Sequence, residues 1–287
     1  MLLLPEKYNP FAEAENLINK AVRFTDKKYD EINFAVLSSL VFIACTKKGA
    51  QGEGELYIGD CGGATQTAKT SLKAVPIKFA EGDISCPVLH YIEKPVLRVF
   101  FSQSGKAKYI DFNVLTFTFE EEAHELKILG EPYYMYKLSH GKPMMTEKSA
   151  NGAMLCELNK ECNEAIWEKP VDTEILEIGT DSANGYFGFT SDGRIIHTSD
   201  GTEWTTEAEG YDTLNKPSFA RLYRLYYIAY NTENGVKIDV SKNCKEWETL
   251  IQFGSDTDID GISFYEWDGI IYYCALLDGK PIYSRLR

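Results

Sequence analysis

Helical spacing of apolar residues is confined to the start of this chain. Between residues 10 and 22, Phe11, Ala14, Leu17, Ile18 and Ala21 recur at steps of three, four or one, as on one face of a short helix. Beyond it, short runs rich in Tyr, Phe, Ile and Val end at glycine-containing turns, the pattern of β-hairpins. Six such hairpins follow one another. Their tips are the Gly-rich stretch 49–54, Ser104-Gly105, His140-Gly141, Asp192-Gly193, Asn234-Gly235 and Asp278-Gly279. Each is preceded by another strand-like run, at 32–36, 88–92, 125–129, 174–178, 219–223 and 262–267. Five are followed by a fourth run, at 74–79, 115–119, 153–157, 204–206 and 247–251.

A four-stranded meander repeated every 36 to 53 residues from tip to tip is the signature of propeller blades. The last steps are regular: Thr198, Ser241 and Ser284 hold the same place after their hairpins, 43 residues apart each time. The expected fold is all-β, a six-bladed β-propeller of four-stranded antiparallel blades. Residues 1–20 form an N-terminal extension with the short helix, and 21–287 form a single propeller domain. The last unit stops after its third strand. The run 21–25 is expected to supply the missing outer strand, which removes an open sheet edge and closes the ring.

Composition adds little to the fold and narrows the function. The chain has 287 residues, 44% hydrophobic and 25% charged, with a formal net charge of −13. An acidic surface repels phosphate backbones and anionic lipid heads, so neither nucleic acid nor membrane is an expected partner. No run approaches the ~18 apolar residues that suggest membrane insertion. The opening Met-Leu-Leu-Leu-Pro-Glu-Lys lacks a basic region and is too short for a signal peptide. Synthesis in the cytoplasm without a signal peptide is expected, with incorporation in a phage or phage-like particle as a route outward. The seven cysteines are odd in number and irregularly spaced, which reads as small buried hydrophobes rather than a disulfide framework.

Two segments one blade apart share a motif. Thr198-Ser199-Asp200-Gly201-Thr202-Glu203-Trp204 and Ser241-Lys242-Asn243-Cys244-Lys245-Glu246-Trp247 both read hydroxyl, any residue, Asp or Asn, three residues, Trp. Asp60-Cys61-Gly62 is a remote relic without the Trp. The motif resembles the Asp-box, or BNR repeat, of the sialidase-like β-propeller superfamily, most strongly over 185–250. The resemblance implies a structural role for Thr198, Asp200, Gly201, Trp204, Ser241, Asn243 and Trp247. The carboxylate or amide accepts backbone hydrogen bonds within the turn, and the Trp packs against the blade. In that superfamily these turns lie away from the ligand-binding mouth.

A sialidase would further require three arginines on a carboxylate, a Tyr nucleophile with a Glu partner, and an acidic proton donor. The arginines here are few, and the superfamily's early Phe-Arg-Ile-Pro motif is absent. Another glycoside hydrolase needs two carboxylates across a cleft, and none of the 43 acidic residues stands out. Asp256, Asp258 and Asp260 precede Gly261 as Asp-x-Asp-x-Asp-Gly. That start suits a Ca²⁺ loop, although Phe264 and Trp267 stand where later ligands belong, so an acidic turn is the default. Trp167, in the link after the third unit, is the candidate exposed ligand contact. No catalytic residue and no cofactor other than this candidate Ca²⁺ is expected.

These observations favour a non-catalytic structural or recognition propeller. It would bind a protein partner or a surface glycan and belong to a larger assembly such as a phage virion or tail-like particle. The alternative is a glycan-active enzyme, a glycoside hydrolase of sialidase-like architecture.

Overall fold

The computed structural model describes residues 8–37, 40–48, 54–63, 73–79, 82–128, 131–136, 144–149, 152–180, 185–211 and 215–286. Its one helix among these residues, α1, spans Pro10–Lys20. The Asn9 side chain accepts from the backbone N–H groups of Phe11 and Ala12, and Pro10 fills the first turn where no N–H is needed. Ala14 and Leu17 are buried, and the helix is too short to cross a membrane.

All other elements are strands, gathered in antiparallel blades. The first blade holds β2 (Glu31–Leu37), β3 (Leu40–Lys48), β4 (Gly54–Gly63) and β5 (Lys73–Phe79). The second holds β6 (Ile84–Glu93), β7 (Val96–Gln103) and β8 (Lys106–Asn113), and two short pieces share its outer edge, β9 (Thr118–Phe119) and β10 (His124–Glu125). The third holds β11 (Glu131–Tyr136), β12 (Met144–Ser149), β13 (Gly152–Leu158) and β14 (Ala165–Val171). The fourth holds β15 (Ile175–Thr180), β16 (Tyr186–Thr190), β17 (Ile195–Thr198) and β18 (Thr205–Ala208). The fifth holds β19 (Asn215–Leu222), β20 (Leu225–Thr232), β21 (Gly235–Ser241) and β22 (Trp247–Gln252). The sixth orders β1 (Val22–Arg23), β25 (Lys280–Arg285), β24 (Ile270–Leu277) and β23 (Ile259–Trp267). The fold is the expected six-bladed β-propeller. Its last blade takes its outer strand from the start of the chain, with Val22 opposite Tyr283 and Arg23 opposite Ile282.

The chain divides into two compact units, one containing blades 1 to 3 and the other containing α1, β1 and blades 4 to 6. Within each, the core lies between adjacent blades. In the second unit, Ile238, Val240 and Leu250 of blade 5 pack with Ile262, Ile271 and Ile282 of blade 6, and Ala14 and Leu17 of α1 join them. Phe187 and Ile195 of blade 4 meet Ile228 and Tyr230 of blade 5. In the first unit, Val88 and Phe100 meet Met145, Cys156 and Leu158. The second unit's glycine at 179 permits close blade packing: a Cβ there would lie 2.0 Å from the Phe219 ring.

Blade 3 differs from its sequence reading by one strand. The run 125–129 is not its first strand. Residues His124 and Glu125 instead edge blade 2, opposite Tyr109 and Lys108, and Lys127 bridges to Glu164. The strand leading to the His140-Gly141 tip, Glu131–Tyr136, is therefore the first, 153–157 falls in the third, and Ala165–Val171 is the fourth. The apolar pattern places strands but does not say to which neighbour they bond. The tips at 49–53 and His140-Gly141 lie outside the described residues.

A buried ion pair ties blades 2 and 3. Arg98 on β7 is 8% exposed. It binds Asp111 on β8 through two bonds of 2.6 and 2.7 Å. Its Nη1 also donates to the carbonyls of Glu161 and Cys162, and its guanidinium lies 3.9 Å from the Tyr109 ring centre. This satisfies a charge that would otherwise be expensive to bury.

Candidate functional site

In an antiparallel meander the first and third turns lie at one end of the strands, and the second turn and the link to the next blade at the other. The two repeated motifs occupy third turns, of blades 4 and 5. Thr198 Oγ1 accepts from the N–H groups of Asp200 and Gly201 at 3.3 and 2.9 Å, and Asp200 Oδ1 from Thr202 and Glu203 at 2.7 and 3.3 Å. Ser241 Oγ repeats this with Asn243 and Cys244 at 3.2 and 3.0 Å, and Asn243 Oδ1 with Lys245 and Glu246 at 2.9 and 3.0 Å. Gly201 and Cys244 stand at the same point with φ of +76° and +58°. Trp247 Nε1 donates to the Cys244 carbonyl at 3.0 Å. Trp204 is half-buried, and its ring lies against Gly188. Asp60 lies inside β4, opposite Phe42 and Lys73, rather than in such a turn.

The opposite end of blades 4 and 5 carries a cleft. Its walls come from two glycine tips and the links they hold. Gly193 (φ +81°) packs so closely that a Cβ would stand 1.7 Å from the Tyr211 carbonyl oxygen, and its own carbonyl accepts from Tyr211 N at 3.3 Å. Gly235 (φ +108°) is likewise pressed against the Phe253 carbonyl, where a Cβ would lie 2.1 Å away. Both positions need glycine twice over, for positive φ and for space. The Thr232 hydroxyl shapes the second tip, donating to the Gly235 carbonyl at 2.8 Å.

Between these supports lies a cleft of about 430 Å³, lined by Gly210, Tyr211, Tyr230, Thr232, Glu233, Asn234, Lys237 and Gln252. Tyr211 stands edge-on to Tyr230, with ring centres 5.5 Å apart and an interplanar angle of 88°. The Tyr230 hydroxyl donates to Asp239 Oδ2 at 2.6 Å. Asp239 is 5% exposed, and its Oδ1 has no hydrogen-bond partner among the described residues. Burial raises the Asp239 carboxyl above the usual range, outweighing the Tyr230 and Thr249 hydroxyls and the Lys237 charge that oppose it. Burial, then the Asp239 charge, raises the phenols of Tyr230 and Tyr211 as well. The arrangement is a carboxyl that retains its proton readily, coupled through one short hydrogen bond to a phenol that lines the cleft. Glu233 and Asn234 stand exposed at the rim.

The Ca²⁺ candidates are not drawn together. Asp256 and Asp258 are exposed, whereas Asp260 lies in β23 and accepts from Asn231 Nδ2 at 2.6 Å and from Gly261 N at 2.8 Å. No group of three or more His, Cys, Asp and Glu among the described residues is placed to hold a metal ion. Trp167 lies in β14 opposite Glu157 rather than in a link, and its side chain lies outside the described residues.

Tyr211, Tyr230 and Asp239 were not singled out by the sequence reading. One signal was present: Asp239 interrupts the apolar run Ile238, Val240 in a strand buried on both sides. A carboxylate in such a run needs a reason to be there.

No protein-family model matches the chain, and no curated protein matches it. Solved structures match its fold. A Trypanosoma rangeli sialidase in complex with the inhibitor DANA shares 9% identity at a TM-score of 0.62; the match covers 93% of this chain and 58% of that one. The chain thus spans little more than half the length of that sialidase. A GH43 β-xylosidase/α-arabinofuranosidase from a compost microbial metagenome, in complex with xylotriose and calcium-free, shares 9% at 0.55, over 93% and 94% of the two chains. A GH43_1 enzyme from Xanthomonas citri shares 10% at 0.52, over 96% and 92%. At these identities the likeness is one of fold, that of the sialidase and GH43 propellers.

These matches correct the expectation of a non-catalytic structural or recognition propeller carried in a phage particle. The sialidase and GH43 propellers among these matches are glycan-cleaving enzymes by name, and they favour the alternative. The physical reason for the misreading lies in the architecture. A propeller can draw its reactive groups from links and strands far apart in sequence, so a chain can hold a site without any contiguous reaction motif.

Proposed function

We propose that this chain is a glycan-active enzyme, a glycoside hydrolase of sialidase-like propeller architecture, acting at the cleft of blades 4 and 5. The observation that carries the reading is the hydrogen bond from Tyr230, which lines the cleft, to the buried Asp239. Cleaving a glycosidic bond requires a proton for the departing oxygen and a second group that takes up the sugar carbon or activates water. Asp239 supplies that proton through Tyr230: the phenol turns its O–H from Asp239 to the departing oxygen, gives up that proton, and takes the Asp239 proton in its place. Glu233 at the rim is the second carboxyl group available to the same space. Tyr211 offers a ring face to a sugar, and Thr232, Asn234 and Gln252 offer hydroxyl and amide groups to its hydroxyls. The fold of the sialidase and GH43 structures supports this reading. In it the two motif turns are Asp-boxes, which hold the far end of the blades while the cleft end does the chemistry.

Release of the chromophore from a panel of aryl pentosides, hexosides and sialosides, with release of sugar from matching oligosaccharides, tests the proposal. Turnover of at least one substrate, lost in Asp239→Asn and Tyr230→Phe, is expected. No turnover across the panel would overturn it, as would full activity in both variants.

A further inference from the structure

At the other end of blade 5 the turn between its first two strands breaks a local rule. Leu222 pairs with Leu225, leaving Tyr223 and Arg224 as a two-residue loop. Tyr223 has φ of +55°, and Arg224 is not among the residues with positive φ. This is the pattern of a type II′ turn, whose first position suits glycine because a side chain there is strained. The corresponding turn of blade 6 uses Asp268 and Gly269, at +50° and +69°, a pairing that suits its type I′ turn. Blade 5 places a tyrosine at the strained position.

That tyrosine is also the most exposed of the large hydrophobic residues described, at 79%. It does not repay its strain by packing into the core. Its hydroxyl reaches instead over the blade 6 turn, where a Cβ on Gly269 would lie 3.2 Å from it. Its surroundings are polar: Arg224 and Asp268 are exposed beside it. Among the described residues of blades 5 and 6 no other large hydrophobic side chain is exposed. A protein-docking hot spot needs an apolar surround that excludes water. An exposed aromatic face with Arg224 and Asp268 beside it suits a sugar, whose ring covers the aromatic face while its edge hydroxyls bond to the charged groups.

We infer that Tyr223 is a stacking platform for a pyranose or furanose ring of a polysaccharide, a surface site at the strand end opposite the cleft. The inference takes its ligand class from the glycan-active reading but places binding where the cleft residues play no part.

Affinity electrophoresis of the full chain tests it, in native gels containing arabinoxylan, arabinan or sialylated mucin. The wild-type chain is expected to be retarded in at least one gel. Tyr223→Gly and Tyr223→Ala should weaken that retardation by about tenfold or more, and Tyr223→Trp should preserve it. Tyr223→Gly should melt no lower than wild type, since glycine suits the turn, so lost retardation cannot be ascribed to unfolding. Retardation equal in wild type and Tyr223→Gly would overturn the inference, as would no retardation in any gel. Self-association abolished by Tyr223→Gly, without retardation, would overturn it in favour of a protein contact. Aryl-glycoside turnover separates this result from the cleft reading. Turnover unchanged in Tyr223→Gly with retardation lost supports both, and retardation without any turnover supports Tyr223 and overturns the cleft enzyme.

Discussion

The Tyr230 hydroxyl donates to Asp239 Oδ2 at 2.6 Å, from the floor of a solvent cleft to a carboxyl that is 5% exposed. One residue faces the substrate space and the other does not, and the hydrogen bond joins their protonation. Removing the acid while keeping its shape should therefore reduce catalysis strongly. Asp239→Asn is expected to lower kcat by about 10²-fold or more, with a smaller change in KM. Steady-state kinetics on the best aryl glycoside would check it; a change confined to KM would assign the residue to binding alone.

The same carboxyl should leave a mark on stability. Its raised pKa in the fold means that folding takes up a proton. Its contribution is therefore fully favourable below about pH 4, the ordinary carboxylate value, and is lost as pH rises through the folded value. Wild type should lose stability relative to Asp239→Asn across that interval. Urea denaturation of both proteins from pH 4 to 8 measures the difference, and parallel curves would contradict it.

Arg98 and Asp111 form a two-point pair that also binds the Glu161 and Cys162 carbonyls. Asp111→Asn or Arg98→Met leaves one buried group uncompensated and should cost about 3–5 kcal/mol. Arg98→Lys cannot reproduce the planar fork and should lie between wild type and Arg98→Met. Chemical denaturation reads all three.

Gly193 holds the Tyr211 link by having no side chain. Gly193→Ala adds backbone strain at φ +81° and a clash with a carbonyl, and should destabilise by about 1–3 kcal/mol or more. It should also raise KM, because Tyr211 is displaced from the cleft wall. Gly105, also at positive φ (+76°) but with nothing within 4 Å of a Cβ, is the control: its alanine variant meets the backbone strain alone and should leave KM unchanged.

The turn at Asp200 should behave as a structural element. Asp200→Ala leaves the N–H groups of Thr202 and Glu203 to exposed solvent, so a loss of about 0.5–1.5 kcal/mol is expected. Turnover at 25 °C should stay unchanged, since the turn lies at the strand end away from the cleft. A drop in kcat without a drop in melting temperature would contradict this.

Alternating apolar residues and glycine tips were enough to specify strands, hairpins and a repeat, because each depends on neighbours in sequence. The helix at Pro10 and the two Trp-ended turns were legible for that reason, and the pairing of Val22 and Arg23 with the last blade was legible because the repeat left that blade one strand short. Strand assignment in blade 3 was not. Residues 124–128 can edge one sheet or begin the next, and only the hydrogen bonds to Tyr109 and Lys108 choose between them. The cleft was decided by how the blade 4 link packs on the blade 5 hairpin. Tyr230 and Asp239 meet within one hairpin, but Tyr211 comes from the preceding link, and only the packing of that link against the hairpin brings the three together. Burial then gives Asp239 its proton affinity, a property of the surrounding fold rather than of the residue. Asp260 marks another case: its motif spacing is read from the sequence, and its hydrogen bond from Asn231 in blade 5 only from the fold.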